Sequence, residues 1–526
     1  MLNLDSLPTN VFIPLDHAER ELYEQIVPPD HFLRRLPAVV DFESFRPLLA
    51  PAYSKDQGRP PWDPVVVLKT LVLAFHYRLS DREVINAARF NVAQRLFLGL
   101  SLKSPLPHHT TLTYFRQRLG NERLQEVFDA LVGQARQLGL VKDRLRLKDA
   151  THIIANVAVP STIRLVAEVR DQLLEALQPF ALARAAEAEQ RAAAIRVASE
   201  DATDAERLLQ RVTHLQVVLA WADDVPRQET FAQASDDRQE KLRAALALAH
   251  KVLADREDGA QDKVVSAHDA DARHGKHGDF YTGYLIDVAM DADSEIITAV
   301  NVLPANGDEG GDAAYLITQE ERAHGNDVES VSIDGAAYRG PVLRELTDPA
   351  GLNLEVFTPP SEPAPPKGFP SERFSLDVIT GTTLTCPAGE TTQQRERNKN
   401  DTGYKYRFSK KQCRDCPLRD ECLASPTVKS RTVIKNDYEA EYAAAKAKAQ
   451  TPEYAATRRR HPAIERKLAE LVRRHDVRHA RYRGCARVLL QSLLSGLVVN
   501  LKRIVRLLFV PPAAEGTVRA ELAGVN

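Results

Sequence analysis

The chain has 526 residues, of which 44% are hydrophobic and 27% are charged, and its formal net charge at pH 7 is −2. This length allows roughly two to four domains with proper hydrophobic cores, and the composition excludes a disordered or fibrous protein. No run approaches the ~20 consecutive apolar residues of a membrane-spanning helix, and the N-terminus lacks the basic region of a signal peptide. We therefore expect a cytoplasmic protein that does not contact a membrane.

The small net charge hides an uneven distribution along the chain. Residues 427–510 contain 19 Lys and Arg against 7 Asp and Glu, whereas the rest of the chain contains 51 against 65. A basic segment of this kind is typical of a surface that meets a polyanion, although a solvated helical face would show the same pattern.

Residues 1–140 have the pattern of an N-terminal all-α domain. Apolar residues recur at spacings of three and four after Pro64, and Ser80 with Glu83 predicts a capping box at the start of another helix. A later predicted helix carries Arg116 and Arg118, whose charges suit contact with DNA ends. Helical packing without DNA contact would explain the same pattern.

A mixed α/β sheet is predicted from residues 141–160 and 257–358. Strand character occurs at 144–159, 264–265, 281–290, 296–303, 329–333 and 352–357. Helices are predicted at 312–324 and 341–346. The intervening residues 161–256 are rich in Ala, Leu, Glu, Arg and Gln, which predicts a long helical insertion.

Residues 359–430 begin with a proline-rich linker and hold four of the five cysteines: Cys386, Cys413, Cys416 and Cys422. In a cytosolic chain these predict a small zinc-ribbon-like insertion with a structural Zn²⁺, and four reduced thiols are the alternative. Cys485 is left over and is expected to be a buried, small apolar residue. Residues 431–510 are predicted to be a basic helical part of the core, and residues 511–526 a tail.

Three acidic residues indicate the chemistry. Asp149 and Asp334 each end a predicted strand, and Glu465 lies in the basic helical segment. Carboxylates delivered by two strands and a helix can converge on a pair of divalent cations, which is the arrangement that two-metal phosphodiester chemistry requires. The sequence therefore indicates an enzyme that acts on nucleic acid.

Asp143, Asp312 and Glu470 compete with these acids. Asp143 precedes a strand and Asp312 begins a helix, so both have simple structural interpretations. Glu470 is predicted to lie among solvated residues, whereas Glu465 borders the apolar stripe of its helix, which is formed by Ile464, Leu468, Leu471 and His475. Glu465 is therefore the preferred third acid.

Two further segments carry groups that suit DNA phosphates. Arg273 and Lys276 precede a predicted hairpin and could hold phosphates or form a charged loop. Arg481, Tyr482 and Arg483 combine cations with an aromatic ring, which suits backbone contact and stacking on a nucleic acid.

Together these motifs resemble the DDE transposases of bacterial insertion sequences, specifically the group with an InsH-like N-terminal domain and a cysteine-bearing insertion. The resemblance is carried by residues 61–120, 149–152, 269–276, 333–338, 464–466 and 480–484 and by the four clustered cysteines.

The resemblance implies an RNase H-like catalytic core in which Asp149, Asp334 and Glu465 bind Mg²⁺, with Mn²⁺ as a substitute. It implies that the protein cleaves and transfers DNA strands, with double-stranded DNA at the element ends and at the target as its partner. It further implies a homodimer that joins two ends, in a bacterial cytoplasm and on the nucleoid when bound.

Two positions differ from the family pattern. An arginine commonly precedes the glutamate by four residues and a lysine follows it by seven, but this chain has His461 and Val472 there. Arg473 and Arg474, or Arg460, could take their place, and His461, Arg473 and Arg474 are expected at the DNA. Two other functions stay open: a catalytically silent or repurposed sequence-specific DNA-binding protein, and a structure-specific nuclease of the same fold.

Overall fold

The computed structural model describes residues 12–53, 62–257, 259–361, 368–377, 381–425 and 427–509. The N-terminal part is helical, as predicted. Ser80 and Glu83 form the predicted capping box, because each side chain accepts the backbone N–H of the other residue. The helices of this part are α1 (His17–Ile26), α2 (Phe32–Arg35), α3 (Arg46–Leu49), α4 (Pro64–His76), α5 (Asp81–Phe90), α6 (Val92–Leu98) and α7 (His109–Gln137).

Helix α7 bends sharply at Gly120, whose φ of 65° and ψ of −177° interrupt the helical backbone. A side chain would strain this conformation, whereas glycine adopts it readily. The two halves of α7 therefore point in different directions, and a cleft opens at the bend.

A mixed sheet forms the centre of the molecule. Its strands are β1 (Arg146–Ile154), β2 (Arg273–His277), β3 (Asp279–Asp291), β4 (Ile297–Pro304), β5 (Ser330–Ser332) and β6 (Glu355–Phe357). Strand β3 pairs antiparallel with β1, β2 and β4, whereas β5 runs parallel to both β1 and β6. The predicted mixed α/β architecture is confirmed.

Three strand predictions differ from the structure. The strand predicted over residues 144–159 ends at Ile154. Val264 and Val265 are buried in a loop, and their β-branched, apolar character reflects packing rather than strand pairing. Residues 273–277 were expected to be a loop, but they form β2, because they pair with the N-terminal extension of β3.

The predicted helical insertion follows β1 and has a hydrophobic core of its own. Its first helix contains Pro179 and departs from helical geometry at Ala181, two residues later, as expected when proline removes an intrahelical hydrogen bond. The insertion consists of α8 (Thr162–Ala198), α9 (Asp204–Ala222), α10 (Glu229–Ala232) and α11 (Asp236–Ala254).

Two helices cross between the later strands, α12 (Asp312–His324) and α13 (Gly340–Thr347). The bounds of α12 agree with the prediction, and Asp312 is its first residue. The cysteine-bearing segment follows and forms two small three-stranded sheets. It contains β7 (Ser375–Leu376), β8 (Leu384–Thr385), β9 (Thr391–Thr392), β10 (Arg395–Arg397), β11 (Gly403–Arg407), α14 (Lys410–Arg414), α15 (Arg419–Cys422) and β12 (Thr432–Asn436). Residues 362–367 of the predicted linker and the predicted tail lie outside the described residues.

The basic C-terminal part is helical, with α16 (Glu439–Lys448), α17 (Pro452–Arg460), α18 (Pro462–His475) and α19 (Cys485–Phe509). Helices α18 and α19 join α7 and the sheet in the main hydrophobic core. By length and composition α19 could span a membrane, but 83% of its most apolar stretch is buried inside the protein. It is therefore accounted for as the core helix of a globular protein.

Candidate active site

The sheet register brings Asp149 and Asp334 together. Parallel pairing between β1 and β5 ends with Leu147 opposite Ser332, and each aspartate lies two residues beyond that pair. Residues two apart share a face of a strand, and neighbouring strands lie about 4.8 Å apart. Both carboxylates therefore lie at the same edge and on the same face of the sheet.

The prediction that both aspartates end a strand was right for Asp334 and wrong for Asp149. Asp334 lies just after β5, separated from it by Ile333, and its side chain accepts the N–H of Ala336 at 3.0 Å. Asp149 lies in the middle of β1, opposite Val288 of β3. Strand β1 continues to Ile154 because β3 still pairs with it after the shorter β5 has ended.

The surroundings of Asp149 disfavour its negative charge. Burial raises the pKa of Asp149 to about 7, the nearby charges of Asp334 and Glu309 add to the effect, and the N–H of Ala150 and the Lys148 ammonium oppose it. The hydrogen bond from Ala150 N–H to the carboxylate measures 2.8 Å. A cation between the two aspartates would offset their repulsion.

Helix α18 carries Glu465 in its first turn, where the N-terminal end of the helix dipole favours a carboxylate. The predicted core stripe of this helix is buried, and Glu465 is exposed beside it. The carboxylate lies within electrostatic reach of Arg458, together with Asp149 and Asp334. All three predicted acids are therefore near enough to influence the charge of one guanidinium.

The expectation that Glu470 lies among solvated residues was wrong. Its carboxylate is 3.3 Å from the Lys467 ammonium and 2.8 Å from the Lys502 ammonium. Burial alone would raise its pKa, but the two lysines hold the pKa of Glu470 down to about 2. Glu470 therefore forms ion pairs with two lysines, whereas Glu465 has no ion pair among the described residues.

A buried network connects the second and third acids. The side chains of Ser332 and His461 are both buried, and Ser332 Oγ lies 3.1 Å from His461 Nδ1. Burial lowers the pKa of His461 to about 4, with Arg458 adding to the effect, so the imidazole is neutral at pH 7. His461 was predicted to contact DNA, but in the structure its hydrogen bond with Ser332 joins the start of α18 to the end of β5.

Within the described parts of the chain, no three His, Cys, Asp or Glu side chains lie close enough together to hold a metal ion. Mg²⁺ is usually bound through one or two protein carboxylates, with water and substrate phosphate oxygens completing the octahedron. Asp149 and Asp334 fit that smaller requirement, since both supply hard oxygen ligands at one edge of the sheet.

The four clustered cysteines lie near one another. All are partly buried and none forms a disulfide. Burial raises the pKa of the Cys422 thiol, and the neighbouring Cys413, Cys416 and Cys386 raise it further. Among the described residues these thiols do not form a three-ligand metal group, so the structure does not show a zinc site.

The predicted DNA-contacting cations fall into two groups. Arg116 binds both carboxylate oxygens of Asp81, and Arg273 donates to Asp262 at 2.6 Å, so both stabilise the fold. The exposed group consists of Arg118, Lys276, Arg473, Arg474 and Arg483.

Arg481 and Tyr482 help to join the two ends of the chain. The guanidinium of Arg481 lies 4.8 Å from the ring centre of Phe75, and that of Arg116 lies 5.9 Å from the ring centre of Tyr482. Beside Tyr482, a cleft of about 900 Å³ lies between the bend of α7 and the start of α19. Its lining includes Arg118, Arg123 and Arg487 together with Glu122 and Glu126, so arginines outnumber acids in this cleft.

Sequence reasoning missed the roles of several residues near these sites. Asp271 accepts the N–H of Cys485 at 2.9 Å, and Asp269 accepts the N–H of Gly484 at 3.2 Å, so together they cap α19. Cys485 itself is only partly buried, whereas a buried residue was expected. No motif distinguishes Glu309, and Arg458 was one of three consecutive arginines in the sequence.

Comparison with protein families gives two matches. Residues 21–118 match the model described as Transposase domain (DUF772), and residues 385–505 match the model described as Transposase DDE domain. No solved structure matches the chain. The second match includes Glu465, while Asp149 and Asp334 lie between the two matched segments.

Both matched families are transposase domains, so the chain is a transposase. The match over residues 385–505 is to a DDE transposase domain, and both matches agree with the resemblance to insertion-sequence DDE transposases found in the sequence.

Proposed function

We propose that this transposase binds the terminal inverted repeats of its own element and that Asp149, Asp334 and Glu465 form its catalytic centre for DNA strand cleavage and strand transfer. The observation that carries the proposal is the register that sets Asp149 and Asp334 side by side, two residues beyond Leu147 and Ser332. Glu465 is the free acid at the start of the helix that is fastened to the same strand end.

Asp149 and Asp334 would be the principal ligands of Mg²⁺ or Mn²⁺, and Glu465 would complete the set. When bound, the metal supplies activation of a water or a DNA 3′-hydroxyl and stabilisation of the leaving oxygen in an in-line displacement. The protein contributes a rigid strand for one carboxylate, a strand end for the second and a helix start for the third. No side chain need form a covalent intermediate.

The mixed sheet is proposed to be the RNase H-like core, residues 141–160 and 257–358. Three antiparallel strands joined through β1 to two parallel strands, with acids at the edge where β5 ends, support this assignment. Residues 1–140 would bind the element end, 161–256 would be an insertion, and 431–510 would complete the core. Residues 359–430 would be the linker and the cysteine insertion.

Double-stranded DNA is the proposed partner, both as element end and as target, and the active form is proposed to be a homodimer in the cytoplasm, on the nucleoid when bound. The exposed cations Arg118, Lys276, Arg473, Arg474 and Arg483 would contact phosphates. The basic cleft beside Tyr482 supports this surface, because it combines residues from both family matches.

Zinc in the cysteine insertion is proposed as a structural ion that would draw the four thiols together. Their mutual proximity, and the small core that Cys386, Cys413 and Cys422 pack against, support it. Purified protein should then contain one zinc per chain by elemental analysis, and Cys416→Ser should remove it. A full-length protein with no zinc and four titratable thiols would contradict the proposal.

A strand-cleavage assay tests the proposed function. The substrate is a duplex copied from the terminal inverted repeat that flanks the coding region, with Mg²⁺ or Mn²⁺ added after binding. The expected result is a cut at the element end that needs the divalent ion. Cleavage of branched DNA regardless of the end sequence would instead indicate a structure-specific nuclease.

A catalytically silent DNA-binding protein is the second candidate. It is favoured by the absence of a three-ligand metal group from the described residues and by His461 and Val472 at the altered positions. Such a protein would shift the same duplex on a gel and would leave it uncut in both metals.

A further inference from the structure

Arg458 lies against the strand end that carries Asp334. It is partly buried in the last turn of α17, and its Nη1 donates to the backbone oxygen of Ile333 at 2.8 Å and to Ser332 Oγ at 3.1 Å. These two acceptors immediately precede Asp334. One nitrogen of the guanidinium is therefore fixed to the strand that presents the second acid.

The rest of the guanidinium remains open. Burial lowers the pKa of Arg458, and the charges of Asp334, Glu465 and Asp149 oppose that change, so all three acids are within electrostatic reach. None of them lies within 4.0 Å of the guanidinium as an ion-pair partner in the described structure. Within the described residues the Nε and Nη2 atoms of Arg458 have no hydrogen-bond partner, so they are available to another group.

The neighbouring arginines are used elsewhere. Arg459 is exposed and donates to Ala455 of its own helix, and Arg460 donates to the Asp293 carboxylate. Arg466 approaches Glu295 at 3.8 Å. Among these arginines of α17 and α18, only Arg458 is held against the strand end that carries Asp334.

We propose that Arg458 contacts a non-bridging oxygen of the phosphate that is cleaved, through the Nε and Nη2 edge left open by its bonds to β5. This inference rests on the proposed function, because it assumes that DNA reaches the acidic edge. A guanidinium edge offers two parallel N–H donors that match a phosphate. Arg458 would thereby offset the repulsion between DNA and the carboxylates before a metal enters.

The arrangement also explains how the chain works with histidine at position 461. The buried His461 has a structural role, because it forms a hydrogen bond between α18 and Ser332. Arg458, three residues earlier, supplies the positive charge beside the acids. Arg460, Arg473 and Arg474 are then not needed at the reacting phosphate.

The test uses the full chain and two duplexes of the element end, one with a normal phosphate at the linkage that the wild type cuts and one with a neutral methylphosphonate there. Binding is measured in EDTA, and single-turnover cleavage of the normal duplex is measured in Mg²⁺. The variants are Arg458→Gln, Arg458→Lys, Ser332→Ala and, as matched control, Arg459→Gln. Melting temperatures confirm that each variant is folded.

The wild type should bind the normal duplex roughly 10-fold more tightly than the methylphosphonate, and Arg458→Gln should lose this preference. Its cleavage rate should fall about 10- to 100-fold, Arg458→Lys should recover part of it, and Arg459→Gln should resemble the wild type. Retention of the preference by Arg458→Gln would overturn the inference. So would an equal loss in Arg459→Gln, whose side chain is exposed and bonded within its own helix. Ser332→Ala removes one of the two bonds that position Arg458 and should lose part of the preference.

Failure of this inference can be distinguished from failure of the proposed function. If Asp149→Asn still cuts the duplex with Mg²⁺, the catalytic assignment is wrong, and the binding preference in EDTA still tests Arg458 separately. If Asp149→Asn is inactive and Arg458→Gln keeps both its preference and its rate, only the role of Arg458 is wrong.

Discussion

The two faces of strand β1 differ in whether their charged side chains form ion pairs. On the face toward α12, the fully buried Arg146 lies 2.6 Å from Glu320 and 3.2 Å from Asp291. On the other face, Asp149 accepts a backbone N–H and has no ion pair in the described structure. We call the face with Arg146 the closed face, because its charges are paired, and the face with Asp149 the open face, because Asp149 has no ion pair in the described structure.

The difference separates a structural network from a functional one. Burial is offset by close pairing between Arg146 and Glu320, and Arg146 holds the pKa of Glu320 below its usual range. At Asp149 burial is not offset, and its pKa rises instead. A buried charge without a partner destabilises the fold unless a ligand supplies the missing charge, so the open face indicates where a cation and DNA would bind.

Substitutions on the open face should mainly lower the rate of DNA cleavage. Asp149→Asn or Asp334→Asn should each lower end cleavage by about 10³-fold or more, because the metal would lose a principal ligand. Binding of the end duplex in EDTA should change by only a few-fold. Asp293→Asn, an exposed aspartate paired with Arg460, serves as the control and should cut normally. Undiminished Mg²⁺-dependent nicking by both active-edge variants would contradict the assignment.

Substitutions on the closed face should mainly lower the free energy of unfolding. Glu320→Gln leaves Arg146 buried with a weaker set of partners, and the free energy of unfolding should fall by about 3–5 kcal/mol. Denaturant unfolding measures the loss, and cleavage at a temperature where the variant is folded should persist. A stable Glu320→Gln variant with impaired cleavage would reverse the roles given to the two faces.

The two glutamates of α18 differ in the same way, because Glu465 has no ion pair among the described residues and Glu470 is paired with lysines. Glu465→Gln should reduce cleavage by about 10²-fold and leave the melting temperature unchanged, because the side chain is exposed. Glu470→Gln should keep cleavage and lose about 1–3 kcal/mol of stability, since it leaves the buried Lys467 with only the more distant Glu295, at 3.9 Å, as an acidic partner. The opposite pattern would make Glu470 the third acid.

The pH dependence of stability is the smallest expected effect. The pKa of Asp149 in the metal-free folded chain is about 7, above its ordinary 3.8. Between these values the folded state holds more protons than the unfolded state, so the free energy of unfolding should fall as pH rises. In EDTA at pH 8, Asp149→Asn should therefore be more stable than the wild type by roughly 1–3 kcal/mol. Equal stabilities at pH 8 would show that the charge of Asp149 is already compensated.

Local patterns predicted much of the fold. Helix α12 begins and ends where its pattern indicated, and Ser80 caps α5 as the capping box required. These features depend on residues a few positions apart. Strand β2 was missed because its polar sequence pairs only with an extension of β3, and that pairing is not visible in a single segment.

The acids were found from sequence, but their surroundings were not. Asp334 and Glu465 stood out because each belongs to a recognisable motif. The tie between Ser332 and His461 and the bonds from Arg458 to β5 join residues more than 120 positions apart. Glu470 likewise differs from Glu465 through Lys502, on another helix. Such partners become visible only when the chain is folded.

Counting bound Mn²⁺ ions tests most directly whether the open face of β1 is a metal centre. Electron paramagnetic resonance can be used to titrate Mn²⁺ into the full chain bound to its end duplex, with wild type, Asp149→Asn, Asp334→Asn and Glu320→Gln compared at the same pH. Two-metal chemistry predicts that both aspartate variants lose one or both of the tightly bound ions, while Glu320→Gln retains them. The same number of tightly bound ions in all four proteins would contradict the assignment of Asp149 and Asp334 as metal ligands.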